Sequence, residues 1–381
     1  MPDTAVNAAV SALIARQVAD GHQIGVQVCA YQWGMVVVDA VAGTMGPGDP
    51  RPVQPDSLFC SFSVTKGVAS LALHQLVDAG RIDVDTPVVA YWPAFGRHGK
   101  DRMTVAQAMS HQGGLHAMPE PFVAEHITDW DAGLRRMEDA VPAWEPGTAT
   151  GYHAVTFGWI VGGIVAGAGG GHIGDLIRTA IADPLGVADE MFVGVPDPGA
   201  PTVRDRLATL AITAAGDGLP IPPDHDFYKA MPAAMWPYFN TAPFRHACLP
   251  SGNGHFSARA LAKMYAALAL DGSLDGVRLL SSGAVTAAST RIETAEMDRV
   301  LMSPLNKGVG FMHGGPSELP GPMGRRITAF GHPGAGGPVA FADPEFGLSI
   351  AITSNKMQFP APGTGPTLDI CQLIRAELRA G

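Results

Sequence analysis

Strand-like runs stand at the two ends of this chain and its middle reads as helix, a distribution that limits the available folds more than any single motif does. Near the start, "IGVQVCAYQWGMVVVDAVAG" (Ile24 to Gly43) offers two β-rich runs separated near Gln32 to Gly34, a hairpin leading into a proline-rich link from Pro47 to Pro55. Near the end, "RRITAFGHPGAGGPVAFADPEFGLSIAITSNK" holds runs at Ile327 to Phe330, Pro338 to Ala342 and Leu348 to Ser354, broken by glycine and proline. Between them, three- and four-residue apolar spacing predicts helices over Ser63 to Ala79, Thr104 to Met109, Thr156 to Ala168, Gly174 to Ala182 and Ala258 to Ala269. A further helix is expected over Gly365 to Ala380, beside the N-terminal one. A sheet built from both ends of the chain accounts for the pattern, and the cleft between sheet and helical region is the default site. The expected division is an α/β region of residues 1–80 and 270–381 and a mostly helical region of residues 81–269, packed as one unit.

Composition narrows the partners. Twenty-five basic against thirty-five acidic residues give a formal charge of −10, and no basic stretch is dense enough to hold phosphates, which argues against nucleic acid. Cys29, Cys60, Cys248 and Cys371 lack CxxC spacing and read as unpaired core thiols. The N-terminus has no basic start followed by an apolar core and reads as an amphipathic helix, so a cytoplasmic location is expected. The apolar run Phe157 to Gly170 falls short of the roughly 20 residues of a membrane-spanning helix and is expected to be buried. Self-association is left open.

The chemistry centres on "CSFSVTKGVASLALHQLVDAG" (Cys60 to Gly80), where a lysine follows a serine by three residues at the head of an apolar helix. Ser63 and Lys66 would share the first turn and project to one side, near the positive helix end. A lysine held among apolar groups has its charged form disfavoured and becomes a base for the serine proton. An N-cap serine beside a structural lysine has the same spacing.

With "SVTK", the chain resembles the penicillin-recognising serine hydrolases, specifically the class C β-lactamase-like esterases and acyltransferases. The segments Leu73 to Phe95, "MTVAQAMSHQGGL" (Met103 to Leu115) and "WEPGTATGYHAVTFGWIVGGI" (Trp144 to Ile164) extend the resemblance over almost the whole chain. It implies a β-lactamase/transpeptidase-like fold, an antiparallel sheet flanked by helices with the active site at the interface. Ser63 would be the nucleophile and Lys66 its partner, with Tyr152 at the position of the family's tyrosine. A phenolate beside an ammonium could take the serine proton and return it to the leaving group. In "FGHPGAGG" (Phe330 to Gly337), His332 and Gly334 match the histidine form of the family's third motif, and Ala335 would join Ser63 in offering backbone N–H groups to an oxyanion. Two departures matter. Ala154 replaces the asparagine of the lactamase members, and Pro333 replaces a hydroxyl-bearing residue and so cannot anchor a carboxylate. Both favour ester hydrolysis or acyl transfer over lactam cleavage.

Other readings are weaker. His111 and His116, five residues apart, fit no HExxH arrangement, so no metal and no cofactor is expected, and the resemblance makes His111 structural. No GxSxG elbow surrounds a serine. The aromatic and methionine-rich segment Asp224 to Leu268 suggests an apolar acyl pocket, with Trp236, Tyr238 and, on another wall, Phe122, Trp130 and Trp144 as candidate lining. The expected function is hydrolysis of small or medium acyl esters through an acyl-enzyme, with transfer to an alcohol or amine acceptor as the alternative, and the expected partner is a small-molecule ester.

Overall fold

The computed structural model describes residues 2, 4–123, 125–212, 221–222, 224–292, 297–315 and 319–379. Strands β1 (Gly25–Gln32) and β2 (Met35–Gly46) form the expected hairpin, closed by Trp33 and Gly34, both at positive φ (49° and 80°), the geometry that matches the twist of adjoining strands. The proline-rich link contains an unexpected short strand, β3 (Asp49–Pro52), which lies at the sheet edge, where proline removes no ladder hydrogen bond. The later strands are β4 (Arg291–Ile292), β5 (Lys307–Gly308), β6 (Met312–His313), β7 (Phe330–Pro333), β8 (Val339–Asp343) and β9 (Leu348–Ser354). Their spatial order is β3-β2-β1-β9-β8-β7-β6-β5-β4, antiparallel throughout, so the two chain ends meet at the β1–β9 pairing, where Val28 faces Ile352. The run expected over Ile327 to Phe330 begins as strand only at Phe330, because Arg326 to Ala329 turn, with the Ala329 N–H donating to the Arg326 carbonyl.

Strand β9 is buried along its whole length because helices cover both faces of the sheet. On one face lies α1 (Ala5–Ala19), which buries Val6, Val10 and Ile14 at four-residue spacing and packs against β2 and the C-terminal helix α5 (Pro366–Glu377). Gln17 ties the two helices by donating to the Pro366 carbonyl at 3.1 Å. The end of the C-terminal helix expected at Ala380 lies outside the described residues. On the other face, α4 (Ala258–Ala269) packs against β1, β8 and β9, although its sequence position groups it with the helical middle.

Helix α2 (Val64–Asp78), which follows Ser63, packs against β7 and against α3 (Phe157–Val165), which is buried along its length. Helix α3 stops three residues before the expected Ala168 and passes into a wider turn over Ala166–Gly170. A β-carbon at Gly167 would stand 2.1 Å from the Tyr91 carbonyl, so glycine lets this turn approach the neighbouring backbone. Among the described residues no single helix is long and apolar enough to cross a membrane, and the four cysteines are unpaired.

Candidate active site

The chain reaches Ser63 from a two-residue strand, Phe59–Cys60, through Phe62, a non-glycine residue at φ 46°. This left-handed residue costs backbone energy, and its ring is held edge-on against Phe239 with centroids 5.1 Å apart. The turn delivers Ser63 in right-handed helical geometry with no side-chain capping bond, so its hydroxyl is not spent on the helix start.

Lys66, one turn later, is fully buried. Its Nζ lies 3.3 Å from Ser63 Oγ, and its N–H groups donate to the carbonyls of Ala154 at 2.7 Å and Ser251 at 2.8 Å. Burial pushes Lys66 well below the usual lysine range. As a free amine, Lys66 could keep two N–H groups on the two carbonyls and turn its lone pair to the Ser63 hydroxyl. Ala154 therefore contributes through its main chain where the lactamase members carry an asparagine side chain.

Tyr152 sits beside this pair, its ring 4.9 Å from Lys66 Nζ. Burial drives its phenol well above the ordinary range, only partly offset by a hydrogen bond with Ser63, while Asp298 raises it further. Burial therefore favours the neutral phenol and the neutral amine over a phenolate beside an ammonium. His111, at φ 64°, lies under the tyrosine with centroids 4.7 Å apart, and its Nδ1 accepts from the His153 N–H at 3.1 Å.

Strand β7 brings the third motif to the same place. His332 is 2% exposed, and its Nδ1 donates to the Pro333 carbonyl at 2.7 Å. Burial pulls its pKa down to about 3, so the ring is neutral. Its ring centroid is 6.1 Å from that of Tyr152. A β-carbon on Gly334 would be 2.4 Å from the Ser61 carbonyl, so glycine seats the β7–β8 turn against the loop that leads into Ser63. Among the described residues, no intramolecular acceptor takes the backbone N–H of Ser63 or Ala335, and both residues line the two cavities that meet at the serine.

One cavity is an apolar slot of about 50 Å³, walled by residues including Phe62, Met235, Trp236, Phe239 and Phe244. The other is an open cleft of about 990 Å³ bounded by Tyr152, Leu301, Leu305, Met312, His332 and Gly334 among others, and Trp236 lies between the two. None of the described residues that line the cleft is an Asp, Glu, Lys or Arg. Four expected wall residues are elsewhere. Tyr238 is 38% exposed and lines neither cavity, and Phe122 packs edge-on against His126. Trp130 packs on Gly162, and Trp144 stacks on His116, so neither is a wall.

Sequence reasoning missed Ser251, whose carbonyl holds Lys66, and Asp298 with Lys307, a fully buried ion pair behind Tyr152 at 3.4 Å. Ser251 acts through its main chain, which no residue pattern reports. The scarcity of lysine, with only six in the chain, was the one available signal for Lys307.

An antiparallel sheet built from both chain ends, with a serine–lysine turn at its junction with the helices, defines the penicillin-recognising serine hydrolases. The chain belongs to the β-lactamase family, whose model matches residues 10–370. It is 34% identical over 354 residues to a protein of Mycobacterium tuberculosis named esterase/beta-lactamase LipL, covering 88% of this chain and 78% of the relative. Among solved structures, a penicillin-binding protein homologue from Caulobacter crescentus superposes with TM-score 0.88 at 34% identity, over 99% of this chain and 98% of that one. A family VIII carboxylesterase superposes with TM-score 0.86 at 30% identity, over 98% of both chains.

Proposed function

We propose that the protein is a serine carboxylesterase that hydrolyses uncharged esters through an acyl-enzyme at Ser63. The observation that carries this reading is the uncharged lining: neutral His332 and Pro333 stand where a carboxylate anchor would be needed, and among the described residues no formal charge lines the space around the serine. The relatives named esterase and carboxylesterase support the same chemistry. In the proposed cycle the Lys66 amine takes the Ser63 proton as Oγ attacks the ester carbon, and the N–H groups of Ser63 and Ala335 receive the oxyanion. Collapse breaks the bond to the alkoxide, which takes the Tyr152 phenol proton. Lys66 then restores that proton. Water repeats the sequence on the acyl-enzyme and releases the acid.

The apolar slot suits the acyl chain and the wider cleft suits the alcohol portion. That width also supports a second reading, in which an alcohol or amine replaces water and the enzyme transfers the acyl group. The test compares hydrolysis of neutral esters with analogues bearing a carboxylate on the alcohol side, with and without added alcohol. Neutral esters should be turned over roughly 10²-fold faster in kcat/KM, the cost of about 3 kcal/mol for leaving a carboxylate without a partner. Equal rates would overturn the reading. An ester of the added alcohol among the products would establish transfer.

A further inference from the structure

Behind Tyr152, the turn over residues 298–301 is knotted to the tyrosine's own segment. One oxygen of Asp298, Oδ1, accepts from the backbone N–H groups of Tyr152, Val300 and Leu301, each at 3.0 Å. The other, Oδ2, accepts from the Thr150 hydroxyl and from Lys307 Nζ, both at 3.4 Å, and Lys307 on β5 also donates to the Thr150 hydroxyl. The Arg299 N–H donates to the Thr150 carbonyl at 2.9 Å. Asp298 is 0% exposed and Lys307 1%. Gly151 admits the neighbouring rings: a β-carbon there would stand 2.6 Å from the Trp144 ring.

A buried ion pair is weak evidence for stability, because desolvation offsets the attraction between its charges. Here its bonds converge on the main chain of a residue whose hydroxyl must stand within reach of Ser63 and a leaving group. Reactivity of this kind falls steeply when a group is misplaced by an ångström. We infer that Asp298 is a positioning residue for Tyr152, fixing the tyrosine through its backbone N–H, and that Lys307 serves to compensate the buried carboxylate. The inference rests on the proposed role of Tyr152 in acyl transfer.

The test is a double-mutant cycle on the rate of Ser63 acylation by a neutral ester, with KM and thermal midpoint measured for each variant. Asp298→Asn/Lys307→Met keeps an oxygen acceptor for the three N–H groups and removes both charges, whereas Asp298→Ala/Lys307→Met removes the acceptor as well. The asparagine pair should retain kcat within about 5-fold of wild type, and the alanine pair should lose roughly 50-fold in kcat with KM changed less than about 3-fold. In a Tyr152→Phe background, exchanging the asparagine pair for the alanine pair should cost less than about 3-fold, since the hydroxyl being positioned is gone. Losses that multiply independently of Tyr152, or an asparagine pair that folds yet is as slow as the alanine pair, would overturn the inference. If the alanine pair does not fold, the asparagine pair decides by its kcat, with retention supporting the inference and loss overturning it. A Tyr152→Phe variant as fast as wild type would instead overturn the role of the tyrosine.

Discussion

At the residue scale, one buried lysine sets the protonation pattern of the site. Lys66 has no acidic partner among its hydrogen bonds and is held by two carbonyls, so burial favours the amine over the ammonium. Between its folded-state pKa and the unfolded value of about 10.4, the unfolded chain binds the extra proton, so stability rises with pH across that window. The stability of wild type relative to Lys66→Met should therefore increase as pH is raised toward 10, as urea unfolding across pH would measure. Activity should rise through the same folded-state pKa, and Lys66→Met should lose roughly 10³-fold or more in kcat, since base and nucleophile act as a unit. Gly334 makes a second point. Because a methyl group there meets the Ser61 carbonyl, Gly334→Ala should push the Ala335 N–H out of line and lower kcat roughly 10²-fold, with a much smaller effect on KM.

At the element scale, α1 and α5 cover the sheet face away from the site, and their contribution should separate cleanly from catalysis. Ile14 is fully buried, so Ile14→Ala should cost about 2–4 kcal/mol in urea unfolding while leaving kcat/KM of the folded enzyme unchanged. The elements that sequence made legible are those with a strong period: the β1–β2 hairpin, β8, β9 and the helices beginning near Ser63 and Ala258. β4, β5 and β6 were not legible, because two-residue strands carry no period and are held by pairing with their neighbours. β3 was hidden by Pro50 and Pro52, which an edge strand tolerates. In the site, spacing singled out Ser63 and Lys66 because they share a helical turn, but the same spacing fits an N-cap serine beside a structural lysine. Tyr152, His332 and Ala335 needed the family resemblance, being far apart in sequence. Asp298 acts on the backbone N–H of Tyr152, 146 residues away, and the Ser251 carbonyl acts on the Lys66 side chain, 185 residues away, relations that only the folded molecule displays.

At the scale of the whole molecule, the sheet drawn from both chain ends sets Gly334 and Ala335 of the β7–β8 turn against the start of α2, and the helical region supplies the lysine's carbonyl partners and the apolar slot. The absence of charge among the described residues that line the cleft makes a prediction about selectivity. His332→Lys places a cation on the cleft wall and should raise kcat/KM for a carboxylate-bearing ester relative to its neutral analogue, by about 10-fold or more, measured as a ratio within one variant. The account as a whole depends on a covalent intermediate at one named oxygen. The direct measurement is intact-protein and peptide mass spectrometry of wild type and Ser63→Ala, quenched in acid within the first turnovers of a slowly hydrolysed neutral ester. The account predicts one acyl group on wild type, located on Ser63, and none on the variant, which should also have lost turnover. An acyl group at another residue, or full turnover by Ser63→Ala, would contradict it.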